Sequence, residues 1–162
     1  MFISSKSREN VYNSTGGRME IMVGTIIKED DKILMIQEGK KGSSCYGQWN
    51  FPSGHLEECE NIFQGAIRET LEESGYKVQL KKLYPVQHIY YKEEKIRFFF
   101  LAEVEQKDEN HHPDDILKVK WITIEEIKNM GKKLRDQDNN LKLLQKVEEQ
   151  EEYPLNLIFD LF

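Results

Sequence analysis

The sequence from Gly54 to Tyr76 is GHLEECENIFQGAIRETLEESGY, and it carries most of the information in this chain. Its apolar residues recur at the spacing of an amphipathic helix. Glu60 or Asn61 is placed to cap the start of that helix, and Gly75 is placed to end it. We therefore predict a glycine turn followed by one helix whose C-terminal half is rich in carboxylates.

Two glutamates of this helix lie on its apolar face. With Ala66 at zero and about 100° per residue, Ile62 falls near −40°, Glu73 near −20° and Glu69 near −60°. Glu72 flanks them at about −120°. Carboxylates crowded at a half-buried face repel one another and lose hydration, whereas Mg²⁺ or Mn²⁺ would relieve both problems. The alternative is a solvated helix with ordinary ion pairs, but the inward position of Glu69 and Glu73 argues against it.

The rest of the chain predicts a sheet with a few further helices. Candidate strands cover residues 20–27, 33–36, 48–51, 76–83, 85–91, 96–104 and 116–122. Candidate helices cover residues 124–130, with Thr123 as the cap, and 141–152. Because no repeat or linker divides the pattern, we predict an α+β fold, an α/β/α sandwich with a mixed sheet.

Length and charge narrow the class of protein. The 162 residues predict one domain over residues 19–162, preceded by a polar tail over residues 1–18. The net charge of −6 disfavours long nucleic acid or an anionic membrane as partner, but leaves small phosphorylated metabolites open. We expect Cys45 and Cys59 to be free thiols. With no apolar run long enough to span a bilayer and no signal-peptide segment, the predicted location is cytoplasmic.

The helix and its entry turn resemble the Nudix box, the signature of the Nudix hydrolases. Every fixed position of that signature is filled, by Gly54, Glu60, Arg68, Glu69, Glu72, Glu73 and Gly75. The preceding segment, residues 47–54, resembles the usual entry to the box, with Ser53 in place of one glycine. The resemblance implies a hydrolase of phosphoanhydride bonds that depends on Mg²⁺, with Mn²⁺ as the other candidate ion.

The resemblance also implies roles for individual residues. Glu69, Glu72 and Glu73 would hold the metal together with the main-chain carbonyl of Gly54. Glu69 is the favoured base toward the attacking water, and a loop acid, Asp114 or Asp115, is expected to share that role or complete the metal shell. Arg68 joins the predicted catalytic set because it can brace a nearby carboxylate such as Glu60 or Glu72.

The substrate is less well indicated by the sequence. Members of the family that act on ADP-ribose carry a proline after the box, near the position of Tyr91 or Lys92, and this chain has none there. Scattered residues resemble the branch of phosphatases acting on thiamine pyrophosphate, its hydroxymethylpyrimidine pyrophosphate precursor and some nucleoside triphosphates. They are Asn50, residues 55–57, residues 97–100, residues 115–116, Trp121 and residues 153–155.

Candidate substrate contacts are Arg97, Tyr90 and Asp115. Arg97 is expected either to clamp a phosphate or to form a surface salt bridge. Tyr90 is expected either to stack on a planar ring or to serve as an ordinary residue of the sheet.

Three alternatives remain open at this point. The first is an ADP-ribose or other nucleotide-sugar pyrophosphatase. The second is a module with the same fold that senses a nucleotide without cleaving it. The third is a protein interaction through the apolar C-terminal segment, residues 155–162, alongside catalysis; this segment is compatible either with packing on the sheet or with burial in a homodimer.

Overall fold

The computed structural model describes residues 19–90 and 94–158. The predicted N-terminal tail, residues 1–18, and the last residues of the apolar tail, 159–162, lie outside this part of the chain. No helix in the described part is long and apolar enough to cross a membrane. Cys45 and Cys59 are free thiols, as expected.

Nine strands and three α-helices form the described part of the domain. The strands are β1 (Glu20–Glu29), β2 (Lys32–Glu38), β3 (Trp49–Asn50), β4 (Ser53–His55), β5 (Tyr76–Leu83), β6 (Gln87–Ile89), β7 (Lys95–Lys107), β8 (Ile116–Thr123) and β9 (Tyr153–Pro154). The helices are α1 (Ile62–Ser74), α2 (Ile124–Lys128) and α3 (Gln137–Glu148), and short 3₁₀ turns cover Gly131–Lys133 and Leu155–Leu157.

The sheet is mixed, as predicted. Strand β1 pairs in parallel with β7 from Glu20 opposite Lys95 to Ile27 opposite Ala102, and the other pairings are antiparallel. The main path runs β3-β2-β1-β7-β5-β9, while β4 joins β1, β6 joins β7 and β8 joins β2. Strand β4 therefore delivers the start of the acidic segment to the middle of the sheet.

Helices cover both faces of the sheet, which confirms the three-layer sandwich. Successive residues of a strand point to opposite faces. Val23 and Phe100 pack with Ala66 of α1 on one face. Ile26 and Phe99 point to the opposite face of β1 and β7, and they pack in a cluster with residues of α2 and α3. By the same alternation, Arg97 points to the face covered by α3.

Local sequence explains the bounds of α1. Asn61 caps its start, with its side-chain oxygen accepting hydrogen bonds from the amides of Phe63 and Gln64 at 3.1 and 2.9 Å. Gly75 ends the helix in the left-handed conformation, at φ 75°, and donates its N–H to the Leu71 carbonyl. Both signals had been predicted from the sequence, and both are confirmed.

Two predicted elements needed correction. The last helix begins at Gln137 and ends at Glu148, four residues earlier at each end than predicted. Its first turn is polar, so the hydrophobic pattern did not reveal it, yet Asn140 of that turn is fully buried. Among the described residues of the strand predicted over residues 85–91, only Gln87 to Ile89 form a strand.

The C-terminal segment packs on the sheet as far as the structure describes it. Strand β9 pairs with β5, and Leu155 and Ile158 contact the cluster that contains Leu83 and Phe100. Of the two roles expected for this segment, packing on the sheet is the one observed for residues 155–158.

Candidate active site

Arg68 organises the acidic residues of α1. Its five N–H groups make five hydrogen bonds: two to Glu60 at 2.8 and 2.9 Å, one to Glu69 at 2.9 Å, one to Glu72 at 3.0 Å and one to the His55 carbonyl at 3.1 Å. The hydrogen bonds from Arg68 lower the pKa of Glu60, and the hydrogen bond from the Glu57 amide adds to that effect. The bracing role predicted for Arg68 is therefore observed for both Glu60 and Glu72.

Glu69 lies directly over Gly54. Its side chain is only 14% exposed, and burial raises its pKa against the opposing effect of Arg68. A Cβ atom at Gly54 would lie 2.2 Å from the carboxylate of Glu69. Only glycine leaves room for the carboxylate here, so the glycine turn and the helix are fitted to each other.

Glu73 is the most perturbed carboxylate of the helix. Its Oε2 accepts a hydrogen bond from the Ser53 amide at 2.8 Å. Burial raises the pKa of Glu73 to about 8, and the nearby charges of Glu38 and Glu69 add to that effect. The inward direction predicted for Glu69 and Glu73 from the helical angles is confirmed, whereas the Glu72 side chain is 58% exposed.

The chemistry of these donors fits a hard divalent cation. Glu69 and Glu73 are partly or largely buried oxygen ligands whose pKa values are raised, so a bound cation would stabilise their charged forms. Within residues 19–90 and 94–158, no three His, Cys, Asp or Glu side chains converge as a ready metal site. In this arrangement the Arg68 guanidinium is bonded to Glu69 and Glu72.

A cavity of about 1020 Å³ opens beside β3 and the start of β4. It lies on the α3 side of the sheet, and its lining includes Asn50, Ser53, Tyr90, Arg97, Arg135 and Lys142. Ser53 belongs to both regions, since it lines the cavity and its amide binds Glu73. Ser53 therefore connects the cavity with Glu73.

The three predicted substrate contacts have different surroundings. Arg97 is only 4% exposed; it donates to Asn140 at 2.7 Å and forms an ion pair with Asp136 at 3.3 Å, so the expected salt bridge is present but its arginine is buried. Burial lowers the pKa of Arg97 to about 10. Tyr90 is 80% exposed at the cavity rim, beyond β6. Asp115 does not line the described part of the cavity; its carbonyl accepts the Gly39 amide at 2.6 Å.

Three residues of the site were not predicted from the sequence: Glu38, Arg135 and Asn140. Arg135 donates to Glu38 at 2.5 Å, and Asn140 bonds to Asn50 at 3.1 Å as well as to Arg97. Nothing in the sequence around Arg135 distinguishes it from its neighbours Lys132 and Lys133. Its position next to the acids follows from the tertiary structure alone.

Comparison with known proteins agrees with the acidic helix and its glycine turn. The chain matches the NUDIX domain over residues 19–147. It belongs to the Nudix hydrolase family.

The similar proteins are Nudix hydrolases and phosphatases. Phosphatase NudJ of Escherichia coli K12 is 32% identical over 111 residues, covering 66% of this chain and 70% of that protein. The 8-oxo-dGDP phosphatase NUDT18 of Danio rerio is 38% identical over 86 residues, but these cover 51% of this chain and only 24% of that protein. A NUDIX hydrolase structure from Nitrosomonas europaea superposes with a TM-score of 0.81 at 27% identity, covering 89% of this Nudix chain and 98% of the other.

Proposed function

We propose that this Nudix protein is a Mg²⁺-dependent hydrolase of phosphoanhydride bonds in nucleotide-type or other pyrophosphorylated small molecules. The observation that carries the proposal is the pair of buried carboxylates, Glu69 and Glu73, of which Glu73 accepts a hydrogen bond from Ser53, a residue that lines a large cavity. Glu69, Glu72, Glu73 and the main-chain carbonyl of Gly54 would hold the ion. When bound, Mg²⁺ would neutralise charge on the diphosphate and make water a better nucleophile.

The residues of this chain have distinct parts in the reaction. The oxygen of water attacks phosphorus, the phosphoanhydride P–O bond breaks, and the leaving phosphate takes the bonding electron pair. Glu69 accepts the proton of the attacking water, and its raised pKa makes it a better base than an exposed carboxylate. Arg68 is a positioning residue, because it holds Glu69 and Glu72 without a free N–H for the substrate.

We propose that the substrate is a compound that releases phosphate from a terminal anhydride and that carries a planar ring able to fit the cavity. Exposed Tyr90 at the rim, whose ring centre lies 5.9 Å from that of His88, offers a surface for stacking. Two similar proteins are named as phosphatases, which supports release of phosphate from a terminal anhydride. Thiamine pyrophosphate, its hydroxymethylpyrimidine pyrophosphate precursor and nucleoside di- and triphosphates are therefore the first compounds to test.

A panel of these compounds and ADP-ribose, incubated with Mg²⁺ and analysed by product identity, tests the proposal. We expect phosphate release, and loss of activity when a chelator removes the metal. Glu69→Gln should lower turnover by at least ~100-fold, the scale of losing a general base. The exposed Glu125→Gln on α2 makes the same chemical change away from the site and should keep normal turnover.

Each part of the proposal has its own contrary result. Activity that persists in the chelator contradicts the metal requirement. Near-normal turnover of Glu69→Gln removes Glu69 from the mechanism. Release of AMP from ADP-ribose as the sole reaction replaces the phosphatase assignment with the nucleotide-sugar alternative.

A further inference from the structure

Three arginines of the described residues lie near the site, and they differ in the N–H groups left for a ligand. All five N–H groups of Arg68 are used, by carboxylates and a main-chain carbonyl. Arg97 is nearly fully buried; both of its terminal nitrogens have protein partners, and its guanidinium lies 4.8 Å from the centre of the Phe99 ring. Arg68 cannot take a substrate phosphate without losing these contacts, and Arg97, at 4% exposure, has little surface left to meet one.

Arg135 is committed to a single side-chain hydrogen bond in the described part of the chain. Its Nη1 donates to Glu38 at 2.5 Å, and its side chain lines the cavity while remaining 30% exposed. A guanidinium has five N–H groups arranged for two parallel bonds to one phosphate or carboxylate. Arg135 therefore keeps donors that a ligand in the cavity can use.

The backbone of Arg135 is held firmly. Its N–H donates to the Trp49 carbonyl at 2.9 Å, and its own carbonyl accepts the Asn140 side-chain amide at 2.7 Å. Leu134 is buried and forms a bridge with Trp49. The side chain thus extends from a fixed point, which reduces the conformational entropy lost when it binds a ligand.

Polar contacts connect Arg135 to the carboxylates of α1. Glu38, its partner, lies 3.5 Å from the side-chain amide of Asn50, and that amide lies 3.3 Å from the Ser53 hydroxyl. The Ser53 amide binds Glu73 at 2.8 Å. Arg135 therefore lies on the path from the cavity to the acids, on the side of the site that Arg68 does not reach.

We propose that Arg135 binds a phosphate of the substrate's diphosphate at the junction between the cavity and α1, with Glu38 as the carboxylate that the phosphate replaces or shares. This inference rests on the proposed function, and it adds a substrate-binding residue outside the Nudix box. The planar fork of arginine suits two oxygens of one phosphate, whereas a lysine in its place supplies only a point charge.

Binding measurements test the contact without requiring turnover. Inorganic pyrophosphate with Mg²⁺ is titrated by calorimetry into wild-type protein, into Glu38→Gln/Arg135→Gln and into Lys132→Gln. The double variant removes both partners, so no unpaired charge is left buried. Lys132 is exposed and has no ion pair among the described residues, so it controls for a lost positive charge.

We expect the double variant to bind pyrophosphate at least ~10-fold more weakly, the scale of one charge-assisted hydrogen bond, and Lys132→Gln to bind normally. Equal affinity of the double variant and Lys132→Gln overturns the inference. Hydrolysis supplies a second measurement: Arg135→Gln should raise KM more than it lowers kcat, and Arg135→Lys should recover only part of the loss.

Stability separates substrate binding from a merely structural ion pair. Arg135→Gln alone leaves Glu38 unpaired and should lower the melting temperature, which the added Glu38→Gln should restore. If KM recovers together with the melting temperature in the double variant, the pair is structural and the inference is wrong. If wild-type protein hydrolyses nothing in the panel, the proposed function fails, while the pyrophosphate titration still decides the role of Arg135.

Discussion

Replacing Gly54 with alanine should lower activity about 100-fold while leaving the fold in place. The new Cβ would lie 2.2 Å from the Glu69 carboxylate, and ordinary contact begins near 3.4 Å, so that group must retreat by more than about 1 Å. The obstructing atoms are the far end of a flexible side chain, so the backbone need not move. A misplacement of about 1 Å in a reacting group costs on the order of 100-fold in rate.

The stability cost of the same change is expected to be small. Glu69 would weaken one hydrogen bond to Arg68, now 2.9 Å long, which is worth roughly 1–3 kcal/mol. Gly24→Ala gives the contrasting variant, since its Cβ would lie 2.6 Å from the Pro52 carbonyl oxygen and 2.5 Å from the Ser53 Cβ. These atoms belong to the backbone of the sheet or are fixed to it, so Gly24→Ala should lose far more stability.

Turnover on the substrate identified by the panel, measured beside urea unfolding of both variants, separates the two effects. The expected result is ~100-fold lower kcat for Gly54→Ala with a small change in unfolding free energy, and a large change in unfolding free energy for Gly24→Ala. Wild-type kcat in a folded Gly54→Ala protein would refute the reasoning, because Glu69 would then tolerate displacement.

Two further predictions concern stability. Burial raises the pKa of Glu73 to about 8, so the native state keeps a proton that the unfolded chain releases near 4.5. In metal-free protein, the free energy of unfolding should therefore fall by at most ~5 kcal/mol as pH rises from about 4.5 to about 8. Glu73→Gln should flatten this dependence on pH. Equal slopes of unfolding free energy against pH for wild-type protein and Glu73→Gln, measured by urea unfolding, would contradict the prediction. The Thr25 hydroxyl lies 2.7 Å from that of Thr70, which itself donates to the Ala66 carbonyl at 2.7 Å. Thr70→Val should lower the free energy of unfolding by about 1–3 kcal/mol, because it leaves the buried Thr25 hydroxyl unpaired, and adding Thr25→Val should recover part of that loss. If urea unfolding shows that the losses of the two single variants simply add in the double variant, the prediction is wrong.

The acidic helix was predictable because its determinants are local. The capping side chain of Asn61, the left-handed glycine at position 75 and the helical angles of Glu69 and Glu73 all depend on residues within one short segment. Those angles correctly placed the two carboxylates inward. The alternation of apolar residues also placed most strands and the mixed, three-layer architecture.

The cavity side of the site was less predictable because its contacts join distant parts of the chain. Asn140 looks like a polar residue of a loop, but it is buried by bonds to Asn50 and Arg97, which are 90 and 43 residues away. Arg135 is bonded to Glu38, which lies 97 residues earlier in the sequence. No local pattern encodes such partners, and the polar first turn of α3 was missed for the same reason.

The parallel pairing of β1 with β7 has a consequence for how the chain folds. Glu20 and Lys95 are partners although 75 residues separate them, so the central ladder cannot form until the whole intervening chain is available. Contacts of such large sequence separation carry a high entropic cost of loop closure and slow the folding of a domain. During synthesis, the apolar strand β1 must therefore wait, without its eventual neighbour, until β7 has left the ribosome. This interval is when the young chain is most exposed to aggregation.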